Sequence, residues 1–244
     1  MLLKGTSLIK TTNFRNANYI GDPINAVHLF NQMEVSELIV LDTEATIQKR
    51  KPAFELIGNL ASECFIPFSY GGGIQEIEDI KKILRLGVEK IVINTYAFEN
   101  PYFIQKAAEK FGSQSIIVSI DVKKTFSGRY VICVQGGRKK TGTDPISFAQ
   151  NMERLGAGEI LLNSIDQDGT WEGYDFELIK QVTNAVNIPV IVCGGAGKVE
   201  HFQKAIHQGG ASAVAAGSMF LYRSKGQGVL INYPTSDELQ NILN

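Results

Sequence analysis

Residues 188–197 read IPVIVCGGAG, a run of Val and Ile that ends in glycines. The apolar residues do not alternate with polar ones, which is typical of a parallel strand covered on both faces. The glycines allow backbone N–H groups to approach a ligand closely, and in α/β proteins phosphates bind at such strand ends. This segment therefore predicts an α/β fold with an anion site after the strand.

The same pattern occurs about half a chain earlier, at residues 66–74, IPFSYGGGI. The flanking segments match as well: Glu37 is matched by Glu159, and Pro67 by Pro189, both 122 residues further on. A constant spacing of this kind indicates an internal duplication. We interpret the chain as two copies of a strand-and-helix unit rather than as two unrelated glycine loops.

The composition limits the class of protein. A chain of 244 residues that is 44% hydrophobic can bury one large core, and α/β barrels of this length commonly form one domain, so residues 1–244 are predicted as one domain. The formal net charge is −1 with interspersed charges, so no nucleic-acid partner is expected. Short apolar runs, the lack of a recognisable signal peptide and three isolated cysteines predict a cytoplasmic protein without membrane contact, metal or cofactor.

Eight strand-like segments alternate with helical ones along the chain. Asp22 before Pro23 predicts the start of the first helix, after a polar loop around Lys10. Residues 129–134, RYVICV, predict an additional hairpin strand after the fifth strand. Eight strands with a two-fold duplication favour a (βα)8 TIM barrel over an open Rossmann-type sheet.

Functional groups of a (βα)8 barrel collect at the C-terminal ends of its strands, around the mouth. Two candidate anion sites lie there, one in each copy of the duplication. The first glycine group consists of Gly73, Asn94 and Thr95; the second glycine group consists of Gly195, Gly217 and Ser218, with Asp168 and Gly169 on the neighbouring loop. The duplication predicts that they face each other across the mouth, where a ligand with a phosphate at each end would fit. Tight turns without a ligand are the alternative.

Charged residues open alternate strands at the opposite end, the barrel floor. Glu37, Lys90 and Glu159, here called the floor triad, are predicted to point into one interior layer. Burying charges is costly unless they pair, so the triad forms either a polar plug or a set of solvated strand starts. At the mouth, Asp121 ends the fifth strand between the two glycine groups and is a candidate general acid or base, with a structural turn cap as the alternative. Asp42 is a second, less central carboxylate.

Three long segments resemble the cyclase (HisF) family of imidazole glycerol phosphate synthase, and the similarity runs through nearly the whole chain. They are residues 112–123 (GSQSIIVSIDVK), 156–175 (GAGEILLNSIDQDGTWEGYD) and 188–202 (IPVIVCGGAGKVEHF). The resemblance implies a barrel that receives ammonia from a separate HisH-type glutaminase docked on the floor. The ammonia would pass a charged gate and react at the mouth with a bisphosphorylated ribonucleotide, giving imidazole glycerol phosphate.

Matched by motif, the resemblance implies roles for the residues named above. Both glycine groups become phosphate binders, and Asp121 becomes one of two catalytic aspartates. The floor triad matches three of the four charges of the gate. Lys10 matches a lysine of the family's mobile first loop. No cofactor is expected.

The chain departs from the family at its start. Leu2 stands where the resemblance places the second catalytic aspartate, the general base, and the fourth gate charge would lie before Met1. Because leucine cannot accept a proton, we expect a severely impaired cyclase. A late chain start would not turn aspartate into leucine, so we favour a paralogous group. Residues 228–234, GVLINYP, similarly resemble HisF-like proteins encoded with surface-polysaccharide and flagellar sugar genes.

The leading hypothesis is therefore an ammonia-conducting barrel that works with a HisH-type glutaminase and a third, sugar-activating protein to amidinate an acetamido sugar. Three alternatives stay open: a histidine-pathway cyclase with another base, a non-catalytic phosphate-binding activator of the glutaminase, and a phosphosugar isomerase, which would also need a base. We further predict a short or frayed first strand and assign no chemistry to His28, His201 and His207.

Overall fold

The computed structural model describes the backbone of residues 1–243 and the side chains of residues 1–240. Within this range, one sheet contains twelve strands. In chain order these are β1 (Leu2–Lys4), β2 (Ser7–Thr12), β3 (Arg15–Gly21), β4 (Leu38–Asp42), β5 (Phe68–Gly71), β6 (Lys90–Ile93), β7 (Ile116–Lys124), β8 (Tyr130–Val134), β9 (Lys139–Lys140), β10 (Glu159–Ser164), β11 (Val190–Cys193) and β12 (Ala213–Val214).

Helices separate the strands or groups of strands along the chain. They are α1 (Pro23–Gln32), α2 (Phe54–Glu63), α3 (Ile77–Arg85), α4 (Thr95–Glu99), α5 (Tyr102–Phe111), α6 (Pro145–Arg154), α7 (Phe176–Thr183), α8 (Val199–Gln203), α9 (Ser218–Leu221) and α10 (Ser236–Leu243). Helix α8 continues as a π-helical turn, Lys204–Gln208. In the described part of the chain, no helix is long and apolar enough to cross a lipid bilayer.

Eight strands form the parallel wall, in the order β12-β11-β10-β7-β6-β5-β4-β1. Each neighbouring pair in this order is parallel. The helices between the strands are the crossovers that parallel pairing requires. The (βα)8 barrel predicted from the sequence is confirmed, and its chain order places all C-terminal strand ends at one mouth.

The first strand is short, as predicted. Leu2 and Leu3 of β1 pair in parallel with β4, while the other edge of β1 pairs antiparallel with β2. Since both edges of β1 are occupied, no pairing joins it to β12 among the described residues.

The polar loop predicted around Lys10 is wrong. Residues 7–21 form the antiparallel hairpin β2–β3, and Lys10 lies within β2 with only 4% of its surface exposed. Leu8 and Ile9 are buried, so this hairpin packs as part of the protein rather than extending into solvent. Two register shifts interrupt its ladder, which explains why the segment shows no regular alternation.

The barrel interior contains an apolar layer that is separate from the main core. Val92, Ile117, Leu161 and Ile191 form this layer, one residue from each of the adjacent strands β6, β7, β10 and β11. The main core instead joins strand residues to the apolar faces of the helices. The interior is therefore apolar halfway between floor and mouth.

The start of α1 provides a test of the fold. The Asp22 carboxylate accepts hydrogen bonds from the backbone N–H groups of Ile24 and Asn25, at 2.9 and 3.0 Å. Asp22→Ala should lower the free energy of unfolding by about 1 kcal/mol, because these N–H groups lose their acceptor. Asp22→Asn, which keeps an acceptor oxygen, should stay near wild type. Urea unfolding curves would measure both, and equal losses would contradict the capping role.

Candidate active site

A cavity of about 730 Å³ opens at the mouth and extends into the barrel interior. Its mouth end is lined by Leu2, Lys10, Asn94, Asp121 and Asp168, and it also reaches the sector of wall between β4 and β12. The deeper part is bounded by the apolar interior layer. The polar side chains Lys10, Asn94, Asp121 and Asp168 thus line the cavity at the C-terminal strand ends.

Asp121 is buried at the mouth on β7, and its carboxylate accepts a 3.2 Å hydrogen bond from the Asn94 amide. Burial raises the pKa of Asp121 to about 7; the negative charge of Asp168 acts in the same direction, and the bond from Asn94 opposes both. Near neutral pH the carboxyl group therefore exists in protonated and ionised forms. It has the proton affinity that a general acid or base needs.

Lys10 and Asp168 form a buried ion pair beside Asp121. The Lys10 ammonium contacts the Asp168 carboxylate at 2.7 Å and also donates to the carbonyl of Thr11. The aliphatic part of Lys10 passes so close to Gly217 that a Cβ there would lie 3.1 Å from Lys10 Cε. Lys10 therefore lies next to the second glycine group, with its charge neutralised by Asp168.

The first glycine group is assembled on one side of the mouth. Gly73 has φ +72° and packs against the Arg50 carbonyl, where a Cβ would approach to 2.6 Å, so this position requires glycine. Its N–H donates to the Thr46 hydroxyl at 3.4 Å. Asn94 precedes the first residue of α4, Thr95, and the cavity contacts all of these residues except Arg50.

The second glycine group lies at the ends of β11 and β12. Gly195 has φ +113° and packs directly against the Gly173 carbonyl, and the Gly173 N–H donates back to Gly195 at 2.8 Å. Gly217 and the buried Ser218 begin α9. Gly169, on the neighbouring loop, packs against Thr12 with φ +76°. Backbone packing alone thus requires glycine at 169 and 195, whether or not an anion binds.

The three side chains of the floor triad are joined by two ion pairs that share Lys90. Lys90 contacts Glu159 at 2.8 Å and Glu37 at 3.4 Å, and Glu37 also accepts a hydrogen bond from Ser69 at 2.8 Å. Although burial lowers the pKa of Lys90, the bond to Glu159 and the charge of Glu37 outweigh it and raise the pKa. Glu37 lies one residue before β4 rather than in it. The prediction that the triad converges is confirmed by these distances.

Sequence reasoning missed two supporting residues. Ser69, which holds Glu37, is completely buried at the floor, and Thr46, which holds Gly73, lies in the loop before α2. The structure also removes Asp42 as a free base, because its carboxylate accepts from Arg50 and from backbone N–H groups. No local sequence pattern distinguishes these residues, since their partners are distant in sequence or set by loop geometry.

One of the three histidines has a structural role near the mouth. The Nδ1 atom of His201 accepts a 3.2 Å hydrogen bond from the N–H of Gly197, so the ring supports the glycine loop after β11. Burial lowers the pKa of His201. His28 contacts Glu63 on the outer surface at 3.2 Å.

Comparison with known proteins gives a consistent family. A family model described as "Histidine biosynthesis protein" matches residues 3–225, a range that includes both glycine groups and the floor triad. A Pseudomonas aeruginosa protein provisionally named imidazole glycerol phosphate synthase subunit hisF2 is 45% identical over 239 residues, covering 98% of this chain and 95% of that protein. A Vibrio vulnificus protein provisionally named subunit hisF3 is 43% identical over 244 residues, covering 100% and 94%. The imidazole glycerol phosphate synthase subunit HisF of Endomicrobium trichonymphae is 46% identical over 216 residues, covering 88% and 83%.

The raised pKa of Asp121 predicts a specific dependence of stability on pH. Since the pKa rises from 3.8 to about 7 on folding, the folded state binds more protons than the unfolded state between these values. The free energy of unfolding should therefore fall as the pH rises through this window, by on the order of 4 kcal/mol. Asp121→Asn should abolish this fall, as measured by urea unfolding at a series of pH values.

The surface variant Asp22→Asn is the matched control, because it neutralises an exposed carboxylate. It should keep the wild-type dependence on pH. If the free energy of unfolding depends on pH in the same way for wild type and Asp121→Asn, then the pKa of Asp121 does not rise on folding.

Proposed function

Because this chain belongs to the histidine biosynthesis protein family, and within it to the HisF proteins, we propose that it is the barrel subunit of a glutamine amidotransferase. In this proposal a HisH-type glutaminase docks on the floor and supplies ammonia. The barrel conducts the ammonia to its mouth and delivers it for the amidination of an acetamido sugar, at another active site, during surface-glycan biosynthesis. A third protein activates the sugar, and the two glycine groups bind a phosphorylated small molecule.

The observation that carries the proposal is that the mouth has a carboxyl group suited to acid–base catalysis at Asp121, on β7, but has a leucine at position 2, on β1. Leu2, the first residue of β1, is paired with Leu41 near the C-terminal end of β4 and lines the cavity with an apolar side chain. Asp121 supplies a carboxyl group of raised pKa, but its neighbour Asp168 is neutralised by Lys10. A cyclisation that needs a proton acceptor at position 2 finds none there. Delivery of ammonia to another active site needs no such acceptor.

The interior supports a route for ammonia from floor to mouth. Residues two apart on a strand face the same side, so β10 presents Glu159, Leu161 and Asn163 in sequence from floor to mouth. The same order of charge, apolar residue and amide recurs with Lys90 and Val92 of β6 and with Asn94 directly after that strand. An apolar layer favours a neutral molecule over an ion, because an unpaired ion is costly to desolvate. The arrangement suits ammonia rather than ammonium.

The relatives support a place among the paralogues. The provisionally named hisF2 and hisF3 proteins align with 98% and 100% of this chain. The HisF protein of Endomicrobium trichonymphae aligns with 88%, at a similar identity. The two paralogues therefore align with a larger share of this chain than that HisF protein does.

A second candidate function is the cyclase subunit of imidazole glycerol phosphate synthase. The retention of Asp121, Lys10, the first glycine group and Gly217 of the second in one cavity favours it. It requires a proton acceptor other than Leu2. The two functions therefore differ in whether this chain turns over a bisphosphorylated ribonucleotide by itself.

Turnover of that ribonucleotide with excess ammonium separates the two functions without a partner protein. We expect wild type to be silent and Leu2→Asp to be at least 100-fold more active, since a positioned general base contributes about 10²- to 10⁴-fold. Leu2→Asn is the matched control: it has the size and polarity of aspartate but accepts no proton at neutral pH, so it should remain silent. Comparable turnover by wild type and Leu2→Asp would establish the cyclase and refute ammonia delivery as the main role.

Nitrogen tracing tests the proposed delivery directly. Purified chain is added, with 15N-amide glutamine and excess unlabelled ammonium, to an extract of source cells from which its gene has been deleted. Wild type should place 15N in the acetamidino group of the sugar despite the competing ammonium, as measured by mass spectrometry. Lys90→Glu should reduce the 15N fraction several-fold, because three carboxylates then repel one another at the floor.

Lys106→Glu, a charge reversal on the exposed face of α5, is the control for this variant and should match wild type. Absence of 15N from the acetamidino group with wild-type chain would refute the proposed function. An unchanged 15N fraction with Lys90→Glu would instead show that the floor triad does not lie on the ammonia route.

A further inference from the structure

The longest strand of the barrel wall extends well beyond the mouth. Strand β7 has nine residues, whereas the other parallel strands have two to six. Past Asp121 it continues into the antiparallel strands β8 and β9. We call residues 122–143 the wing. It forms a raised rim on one side of the mouth and extends away from the floor.

The wing has a strongly asymmetric charge. It contains six of the chain's 24 Lys and Arg residues and none of its 25 Asp and Glu residues. The basic residues are Lys123, Lys124, Arg129, Arg138, Lys139 and Lys140. The remainder of this nearly neutral protein is correspondingly acidic. The wing is therefore a positive surface next to the exit of the cavity.

The tip of the wing presents a fully exposed phenylalanine on an ordered turn. The Phe126 side chain is completely exposed to solvent. The turn beneath it is closed by hydrogen bonds between Thr125 and Arg129 at 2.7 to 3.1 Å and by a bond from the Gly128 N–H to Thr125. Leaving a phenyl ring in water forgoes roughly 1.5–3 kcal/mol of burial energy. Nothing in the packing of the turn needs an aromatic residue there.

The base of the wing is held firmly against the rest of the barrel. Asp166 accepts a 2.7 Å hydrogen bond from the Lys124 backbone and contacts the Lys123 ammonium at 3.7 Å. The Lys124 ammonium lies 5.1 Å from the centre of the Tyr130 ring, and the Tyr130 hydroxyl donates to Asp175 at 2.8 Å. These contacts hold the strands that carry the turn with Phe126.

The distance of the tip from the site argues for a macromolecular partner. Lys124 lies three residues beyond Asp121, roughly 10 Å at about 3.3 Å per strand residue, and Phe126 lies further along the turn. A small ligand held between the two glycine groups would contact the base of the wing rather than its tip. An exposed aromatic side chain on a turn that also carries Arg129 has the composition of a protein–protein contact, because interfaces are enriched in aromatic residues and arginine.

We propose that the wing docks the enzyme that consumes the ammonia, through an acidic surface with an apolar pocket for Phe126. This inference rests on the proposed function: ammonia that leaves the mouth for water is protonated and loses its nucleophilicity, so the consuming enzyme must cover the mouth. The glutaminase is placed at the floor, so the mouth side is available to this partner. Opposite charges on the two surfaces would also accelerate their encounter.

The test begins with a photo-crosslinker at the tip. p-Benzoylphenylalanine replaces Phe126 in the full-length protein in source cells, and the crosslinked protein is identified and purified. Its binding is then measured for wild type, Phe126→Ser and the double reversal Arg129→Glu/Lys139→Glu. We expect each variant to raise Kd at least 10-fold, with the effect of the charge reversal shrinking at high salt. Arg85→Glu/Lys106→Glu, an equal charge change on the outer helices α3 and α5, should leave Kd within two-fold.

The following outcomes would overturn the proposal. The proposal is overturned if no protein is crosslinked. It is also overturned if the Kd of the crosslinked protein is unchanged by both wing variants. Binding of inorganic pyrophosphate that is lost in the charge-reversed variant, without protein binding, also overturns it and makes the wing a small-ligand site.

Failure of the docking proposal is distinguishable from failure of the proposed function. If the partner binds through the wing but no 15N reaches an acetamidino group, docking stands and sugar amidination falls. If 15N transfer in the extract proceeds equally with Phe126→Ser, amidination stands and docking through the wing falls. The wing variants should leave activation of the glutaminase unchanged, since the wing and the floor lie at opposite ends of the barrel.

Discussion

The register of the parallel strands determines the level at which every interior side chain lies. In the ladder between β7 and β10, Glu159 of the floor triad pairs with Ile117 of the apolar layer, and Asn163 pairs with Asp121 at the mouth. Side chains alternate between the interior and the helices, so the register decides which residues of neighbouring strands face the interior together. A slip of one residue would turn all of them to the other face. Floor charges, apolar layer and polar mouth are thus three consequences of one hydrogen-bonding pattern.

The two ends of the interior handle buried charge differently. At the floor, one ammonium serves two carboxylates, and all three side chains retain some contact with water. At the mouth, Lys10 and Asp168 are almost fully buried and form an ion pair, whereas the Asp121 carboxylate accepts a hydrogen bond from the neutral Asn94 amide. Because removing one partner of a buried pair costs about 3–5 kcal/mol, the Lys10–Asp168 pair constrains the loops that supply it.

The sequence predicted the parts of the structure that depend on local patterns. Uninterrupted apolar runs ending in glycine identified the strands, the duplication identified the barrel, and Asp22 identified a helix start. The β2–β3 hairpin was missed because polar residues interrupt its short apolar stretches and its register is irregular. The burial of Lys10 and the support of Glu37 by Ser69 depend on elements that meet only in three dimensions. Long-range pairing, not propensity, decides such contacts.

The brevity of β1 has a consequence for how the barrel opens. The ladder between β7 and β10 has six register pairs, whereas β1 joins β4 through two and β12 joins β11 through two. The free energy of local opening follows such differences. Within the parallel wall, backbone amide hydrogens should therefore exchange slowest in β7 and β10 and fastest in β12 and β1. The cylinder therefore has a built-in seam. Transient separation there would widen the interior while the opposite half of the molecule, with its ladder and its floor contacts, stays folded.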